Sequence, residues 1–156
     1  MDALSLARNV LANSSEELQT TFGPVINMRT QNYLDAMTGI KHGDLRISGD
    51  FDVSVYDNVN MTCHVSEDYS GSTEDQIFLA LRCALISLIS QADSPLPLYL
   101  DDPFVQYDDK RFAMTAEFLG HFTVNTGTQI ILATCQNRAS AGFPGCNMLY
   151  LEGEAH

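Results

Sequence analysis

The chain has 156 residues, of which 20 are acidic and 8 basic, giving a formal net charge of −12; hydrophobic residues make up 45%. This size and composition suit one domain around an ordinary core, and so acidic a surface argues against general nucleic-acid binding by this chain alone. No apolar run reaches the roughly 18 residues of a membrane span, and the opening MDALSLARNV has no apolar signal core. The expectation is a soluble, cytoplasmic protein that does not engage a membrane.

In chain order, the first forty residues carry helical periodicity. Leu4, Ala7, Val10 and Leu11 fall on one face, continued by Leu18 and Phe22. Asn13-Ser14-Ser15 interrupts or recaps that helix, with Ser14 and Glu17 spaced as a capping box. Pro24 suits the first turn of a second helix bearing Val25, Ile26, Met28, Tyr33, Leu34 and Met37, which Gly39 stops. Two such helices form either a packed hairpin or the lower end of a longer coiled coil.

From residue 44 the period becomes two. DLRISGDFDVSVYDNVNMTCHV predicts two or three antiparallel strands, near 44–48, 52–56 and 60–65, with turn signals at Gly49-Asp50 and Asp57-Asn58. A polar loop then feeds a helix that is apolar nearly all round, EDQIFLALRCALISLIS, with Thr73 and Gln76 spaced as its capping box. LPLYL reads as a buried strand ending in Asp101-Asp102; 108–122 reads as a helix, 128–134 as a second buried strand and 147–153 as a weaker third. Helices between apolar strands predict α/β layering in this half.

Cys63, Cys83, Cys135 and Cys146 show no C-x-x-C spacing, so the expectation is reduced thiols rather than a zinc site. Nothing near Cys63-His64 completes a ligand set. No nucleophile elbow accompanies the serines, and His42, His64, His121 and His156 have no motif around them.

Three segments gain meaning from their order. YSGST (69–73) is a Ser/Gly loop opening a helix, where backbone N–H groups and the dipole suit a phosphate, although an ordinary cap has the same composition. LPLYLDD (96–102) brings two carboxylates to a strand tip, as a Mg²⁺ ligand and a water-orienting neighbour require; acids that simply end the strand in solvent look the same. PFVQYDDKR places Asp108 at the next helix start, a capping position, and QIILATCQ ends a strand at Gln136.

Together these segments resemble the C-terminal half of ABC-type ATPase heads of the coiled-coil branch, the SMC, SbcC and YhaN-like proteins. The resemblance rests on Tyr69-Ser70-Gly71-Ser72-Thr73 with Leu79-Ala80-Leu81-Arg82 as signature loop and helix, and on Leu100-Asp101-Asp102-Pro103 as the end of the Walker B strand. Tyr107-Asp108 matches the D-loop and Gln129 to Gln136 the switch strand. It implies the fold of an α/β head half: residues 1–38 as helices at the coiled-coil exit, and 39–156 as an antiparallel hairpin followed by parallel strands with packed helices. It also implies that Asp101 holds Mg²⁺, that Asp102 polarises the attacking water, and that Gln136 takes the γ-phosphate sensor position. Ser70, Gly71, Ser72 and Thr73 would form the signature side of an ATP site on the opposite subunit, with Asp108 at the dimer interface. Three departures bear on hydrolysis: Ser72 replaces a glycine, Gln136 stands where many members have His, and Asp102 is shorter than the Glu of typical transporters.

No G-x-x-x-x-G-K-[ST] occurs in the sequence, and in this family that phosphate cradle belongs to an N-terminal lobe. The expectation is therefore an excised or separately encoded half, inactive alone. Its partners would be that lobe, a second head in a head-to-head dimer, and DNA only through the parent assembly, in repair or chromosome maintenance. Two alternatives stand beside it: a non-catalytic dimerisation module, and a metal-dependent phosphoesterase built on Asp101, Asp102, Asp108 and Asp109.

Overall fold

The computed structural model describes residues 3–41, 43–48, 53–57, 62–65, 70–90 and 94–151, without the side chains of 15–19, 57 and 62–65. Helix α1 runs from Ala3 to Thr38 as one element of 36 residues with Pro24 inside it, about 54 Å long at 1.5 Å per residue. This replaces the expected pair of helices: Ser14 lies within the helix rather than at a cap, and Pro24 interrupts nothing. A proline deletes one backbone bond and crowds the carbonyl four residues back, yet the helix continues through it. Thr30, Leu34 and Met37 are fully buried where the C-terminal half of α1 lies against the two long helices described below. Leu4, Leu6, Val10 and Leu11 on the N-terminal half stay exposed. The helix stops where expected: Gly39 takes φ 68°, its N–H donates to the Asp35 carbonyl at 2.8 Å, and the Met114 methyl sits where a Cβ would be. The left-handed backbone favours glycine there.

Strands β1 (Asp44–Ile47), β2 (Val53–Asp57) and β3 (Thr62–Val65) form an antiparallel sheet in that order, with Asp44 opposite Tyr56 and Ser54 opposite Val65. Leu45, Val53 and Val55 are buried, the single inward face that a period of two predicts. The turn signal at Gly49-Asp50, and Asn58 of the second, lie outside the described residues.

Helix α2 (Gly71–Ile89) buries Gln76, Ile77, Leu79, Ala80, Leu81, Cys83 and Ala84. Its N-cap is Ser70, not Thr73. Gln76 is fully buried and bonded to Arg111 and Thr115 instead of reaching back to its own helix start, so the expected Thr73–Gln76 capping box does not form. Strand β4 (Leu98–Asp101) leads through residues 102–108 into helix α3 (Asp109–Thr126), and strand β5 (Ile130–Ala133) returns parallel to β4, with Leu98 opposite Ile130 and Asp101 opposite Ala133. Gly127, at φ 71°, closes α3. A short helix α4 (Arg138–Gly142) follows. Of the weaker strand expected at 147–153, residues 147–151 have no regular structure, and Leu149, Tyr150 and Leu151 are exposed; a strand needs a neighbour to pair with, and none lies beside it among the described residues.

One core joins these parts. Leu34 and Met37 of α1, Leu45, Val53 and Val55 of the antiparallel sheet, Ile77 and Cys83 of α2, Leu98 and Leu100 of β4, and Leu119 of α3 belong to a single buried cluster. Among the described residues no helix is long and apolar enough to cross a membrane.

Candidate functional site

The parallel pairing of β4 with β5 brings the ends of two sequence segments together. Beyond Asp101, Asp102 adopts φ 42°, a left-handed conformation that Asp tolerates better than most residues and that often marks a functional bend. Its N–H donates to the Ala133 carbonyl at 2.7 Å, which fixes the bend to β5. The Asp102 carboxylate then accepts three bonds from the residues after β5: from the Thr134 hydroxyl at 2.7 Å, the Cys135 thiol at 3.3 Å and the Gln136 amide Nε2 at 3.4 Å. Thr134 is placed by the same turn, since its Oγ1 accepts from the Gln136 N–H at 3.1 Å.

These donors stabilise the charged form. The Thr134 hydroxyl above all, then the Cys135 thiol and the Gln136 amide, hold the Asp102 carboxyl below the usual carboxylate range despite some desolvation. The carboxylate in turn pushes the Cys135 thiol above its ordinary value, through the hydrogen bond and its charge. An aspartate so held is a weak proton acceptor and a permanent negative charge. It can orient and polarise a water better than it can strip one.

Asp101, the sequence-assigned metal ligand, is exposed on β4. It lines, with Asp102, Asp75, Arg82, Phe78 and Gln106, an open cleft of about 380 Å³. Among the described residues no three His, Cys, Asp or Glu converge as a metal cage. A single exposed carboxylate still fits Mg²⁺, which keeps most of its waters and takes one or two protein oxygens beside phosphate. Asp101 and Asp102 line one cleft, whereas Asp109 pairs with Arg138 at 3.3 Å and Asp108 caps α3.

Residues 70–73 of the signature segment sit at the start of α2, while Tyr69 lies outside the described residues. Ser70 Oγ lies 3.2 Å from Ser72 Oγ and 3.0 Å from Thr73 Oγ1, and makes no side-chain cap to the backbone. The positive end of the α2 dipole is thus left uncapped by side chain. Gly71 packs under the Gln106 side chain so closely that a Cβ would collide with its amide. Arg111 ties this corner to α3: its Nη1 donates to Thr73 Oγ1 at 3.0 Å and to the buried Gln76 Oε1 at 3.2 Å. Asp108 caps α3 by accepting from the Arg111 N–H at 2.8 Å, and its second oxygen lies 3.5 Å from Arg111 Nε.

The sequence-assigned residues therefore fall into two groups. Asp101, Asp102 and Gln136 gather at the tips of β4 and β5, while Ser70, Gly71, Ser72, Thr73 and Asp108 gather around the start of α2. Sequence reasoning missed Thr134, Arg111 and Arg138, the residues that orient both groups. A polar residue at the tip of an apolar strand marks Thr134; neither arginine carries a local signal.

No family model matches the sequence. The uncharacterized protein YhaN of Bacillus subtilis is 31% identical over 90 residues, which is 58% of this chain but only 9% of that protein's length. Among solved structures, a chain from work on ATP-driven dimerization and DNA-stimulated activation of SMC ATPases superposes with a TM-score of 0.61 at 16% identity, over 82% of this chain and 77% of that one. The Smc head with an extended coiled coil from Pyrococcus furiosus, bound to the C-terminal domain of ScpA, gives 0.59 at 13% identity, over 90% of this chain and 35% of that one. The SMC head domain of Thermotoga maritima gives 0.52 at 15% identity, over 78% and 42%. The chain therefore has the fold of an SMC ATPase head domain and corresponds to its C-terminal portion.

Proposed function

We propose that this chain is the C-terminal half-site of an SMC- or YhaN-like ATPase head. It would supply the signature loop, Walker B acids and switch residue to an ATP site completed by a lobe carrying the phosphate-binding loop. The observation that carries this reading is the three-donor clamp on Asp102 at the tips of two parallel strands, beside exposed Asp101. In this reading Asp101 holds Mg²⁺, which neutralises phosphate charge when bound. Asp102 stays ionised and orients the attacking water, and Gln136 presents an N–H donor beside it. Ser70 to Thr73, at the uncapped end of α2, would face ATP held by a second head, with Asp108 near that interface. Such a pair of heads would serve DNA repair or chromosome maintenance, with DNA contacted by the parent assembly.

The test is calorimetry with Mg-ATP on the chain alone and with an N-terminal lobe bearing the loop, followed by turnover. Binding is expected only in the mixture, and Asp102→Asn should lower turnover about 100-fold or more while ATP-dependent pairing persists. Tight binding by the chain alone, or full turnover by Asp102→Asn, would overturn the reading. One observation favours a second reading, a non-catalytic dimerisation module: Ser72 puts a side chain into the signature loop and bonds it to Ser70. Pairing on ATP without turnover by the unsubstituted mixture would select it.

A further inference from the structure

Arg138 opens α4, two residues beyond Gln136. Its Nε donates to Gln136 Oε1 at 2.7 Å, its Nη2 to the Phe104 carbonyl at 2.6 Å and its Nη1 to Asp109 Oδ1 at 3.3 Å. The guanidinium also lies over the Phe112 ring, 4.8 Å from its centre. Its platform is well packed: Phe104 and Phe112 are buried with ring centres 5.3 Å apart, Phe143 completes the cluster, and Gly142 approaches Phe112 too closely for a Cβ.

These bonds decide which way the Gln136 amide faces. A glutamine amide has an accepting end and a donating end, and a guanidinium only donates. The oxygen must therefore meet Arg138, and the NH₂ turns to Asp102 Oδ1, 3.4 Å away. The Asp109 contact does not account for the arrangement: that carboxylate's side chain is 100% exposed, and exposed pairs contribute little. The short bonds to Gln136 and to the backbone of Phe104 hold the guanidinium, and they span the switch and the segment after β4.

We infer that Arg138 is a positioning residue: it locks the Gln136 amide with its NH₂ toward Asp102 and ties that orientation to the backbone between β4 and α3. The effect on hydrolysis rests on the ATPase half-site reading, whereas the orientation of the amide does not. Side-chain amide NMR of the full chain separates the two, with the Gln136 resonance assigned by its loss in Gln136→Ala. The Gln136 NH₂ signals are expected away from free-glutamine positions, and Arg138→Met should return them there while the backbone spectrum stays dispersed. Should Arg138→Met unfold the chain, Arg138→Lys keeps the charge and the stem but lacks the fork, and should free the amide in the same way. In the completed head, Arg138→Met should lower kcat about 10- to 100-fold with KM for ATP unchanged, the usual range for residues that orient a working group. In a Gln136→Ala background the same change should have no further effect. An unmoved Gln136 amide, or kcat losses that multiply in the double variant, would overturn the inference. A head that never turns over while the amide responds as described would overturn the ATPase reading and leave the positioning role standing.

Discussion

The Thr134 hydroxyl donates to Asp102 Oδ1 across 2.7 Å, joining the tips of two strands that are 32 residues apart in sequence. Asp102 accepts two further bonds from the same turn, yet Thr134 is the leading cause of its depressed pKa. Because the native carboxyl binds its proton less readily than the unfolded one, the linked stability is present above the ordinary value of about 3.9 and is lost as pH falls through the native value. Thr134→Val, which keeps the shape and removes the donor, should raise the Asp102 pKa and shrink that acid-sensitive contribution. Melting temperatures at neutral pH and near pH 3 measure it; an unchanged difference between wild type and variant would show that Thr134 does not hold the charge.

Among the thiols whose side chains are described, Cys83 and Cys135 should both react slowly, for different reasons. Burial pushes the Cys83 thiol up to about 12, and Asp102 raises that of exposed Cys135. Cys146 is exposed as well, with the Met148 sulfur as its neighbour at 3.5 Å. A raised thiol pKa means less thiolate at a given pH. A disulfide reagent at mildly alkaline pH should therefore label Cys135 slowly for an exposed thiol, and Cys83 only on unfolding, as read by mass spectrometry of peptides. Asp102→Asn should speed labelling of Cys135 and leave Cys146 unchanged.

Buried Gln76 depends on Arg111. The amide is fully buried, its oxygen accepts from Arg111 Nη1, and its nitrogen donates to Thr115 Oγ1 at 3.4 Å. Arg111→Ala leaves that oxygen without its partner and should destabilise the chain by about 1–3 kcal/mol in urea denaturation. Lys at 111 should recover little of the loss, since one ammonium cannot span Thr73, Gln76 and Asp108 as the planar fork does.

Phe104 is the hub of the aromatic cluster beneath α4. It is 1% exposed and packs against Tyr107, Phe112 and Phe143. Phe104→Ala should cost about 3–5 kcal/mol, measured by chemical denaturation. Phe104→Leu should cost less, because it leaves a smaller cavity.

Gly71 and Gln106 should be coupled. A methyl at 71 collides with the Gln106 amide, the mobile end of a flexible exposed side chain, so Gly71→Ala should destabilise modestly. Gln106→Ala should relieve the loss. A penalty that survives in the double variant would place the strain in the α2 backbone instead.

The sequence by itself determined most of the secondary structure and the residues that end it. Alternation marked the strands of the antiparallel sheet, all-round apolarity marked α2, and Gly39 stopped α1 as its lack of a Cβ allows. The order of Ser70-Gly71, Asp101-Asp102, Asp108 and Gln136 also indicated the head fold, because motif order survives where identity to solved heads is only 13% to 16%. Tertiary structure decided what short-range rules could not see. Helix α1 continues through Pro24 as one element where two were expected, and cross-helix bonds to Arg111 and Thr115 took Gln76 from its predicted cap. Residues 147–151 of the strand expected at 147–153 have no strand beside them among the described residues. The bonds from Thr134 to Asp102, from Arg138 to the Phe104 carbonyl and from Arg111 to Thr73 and Gln76 join residues 32 to 38 apart in sequence, which no local pattern records.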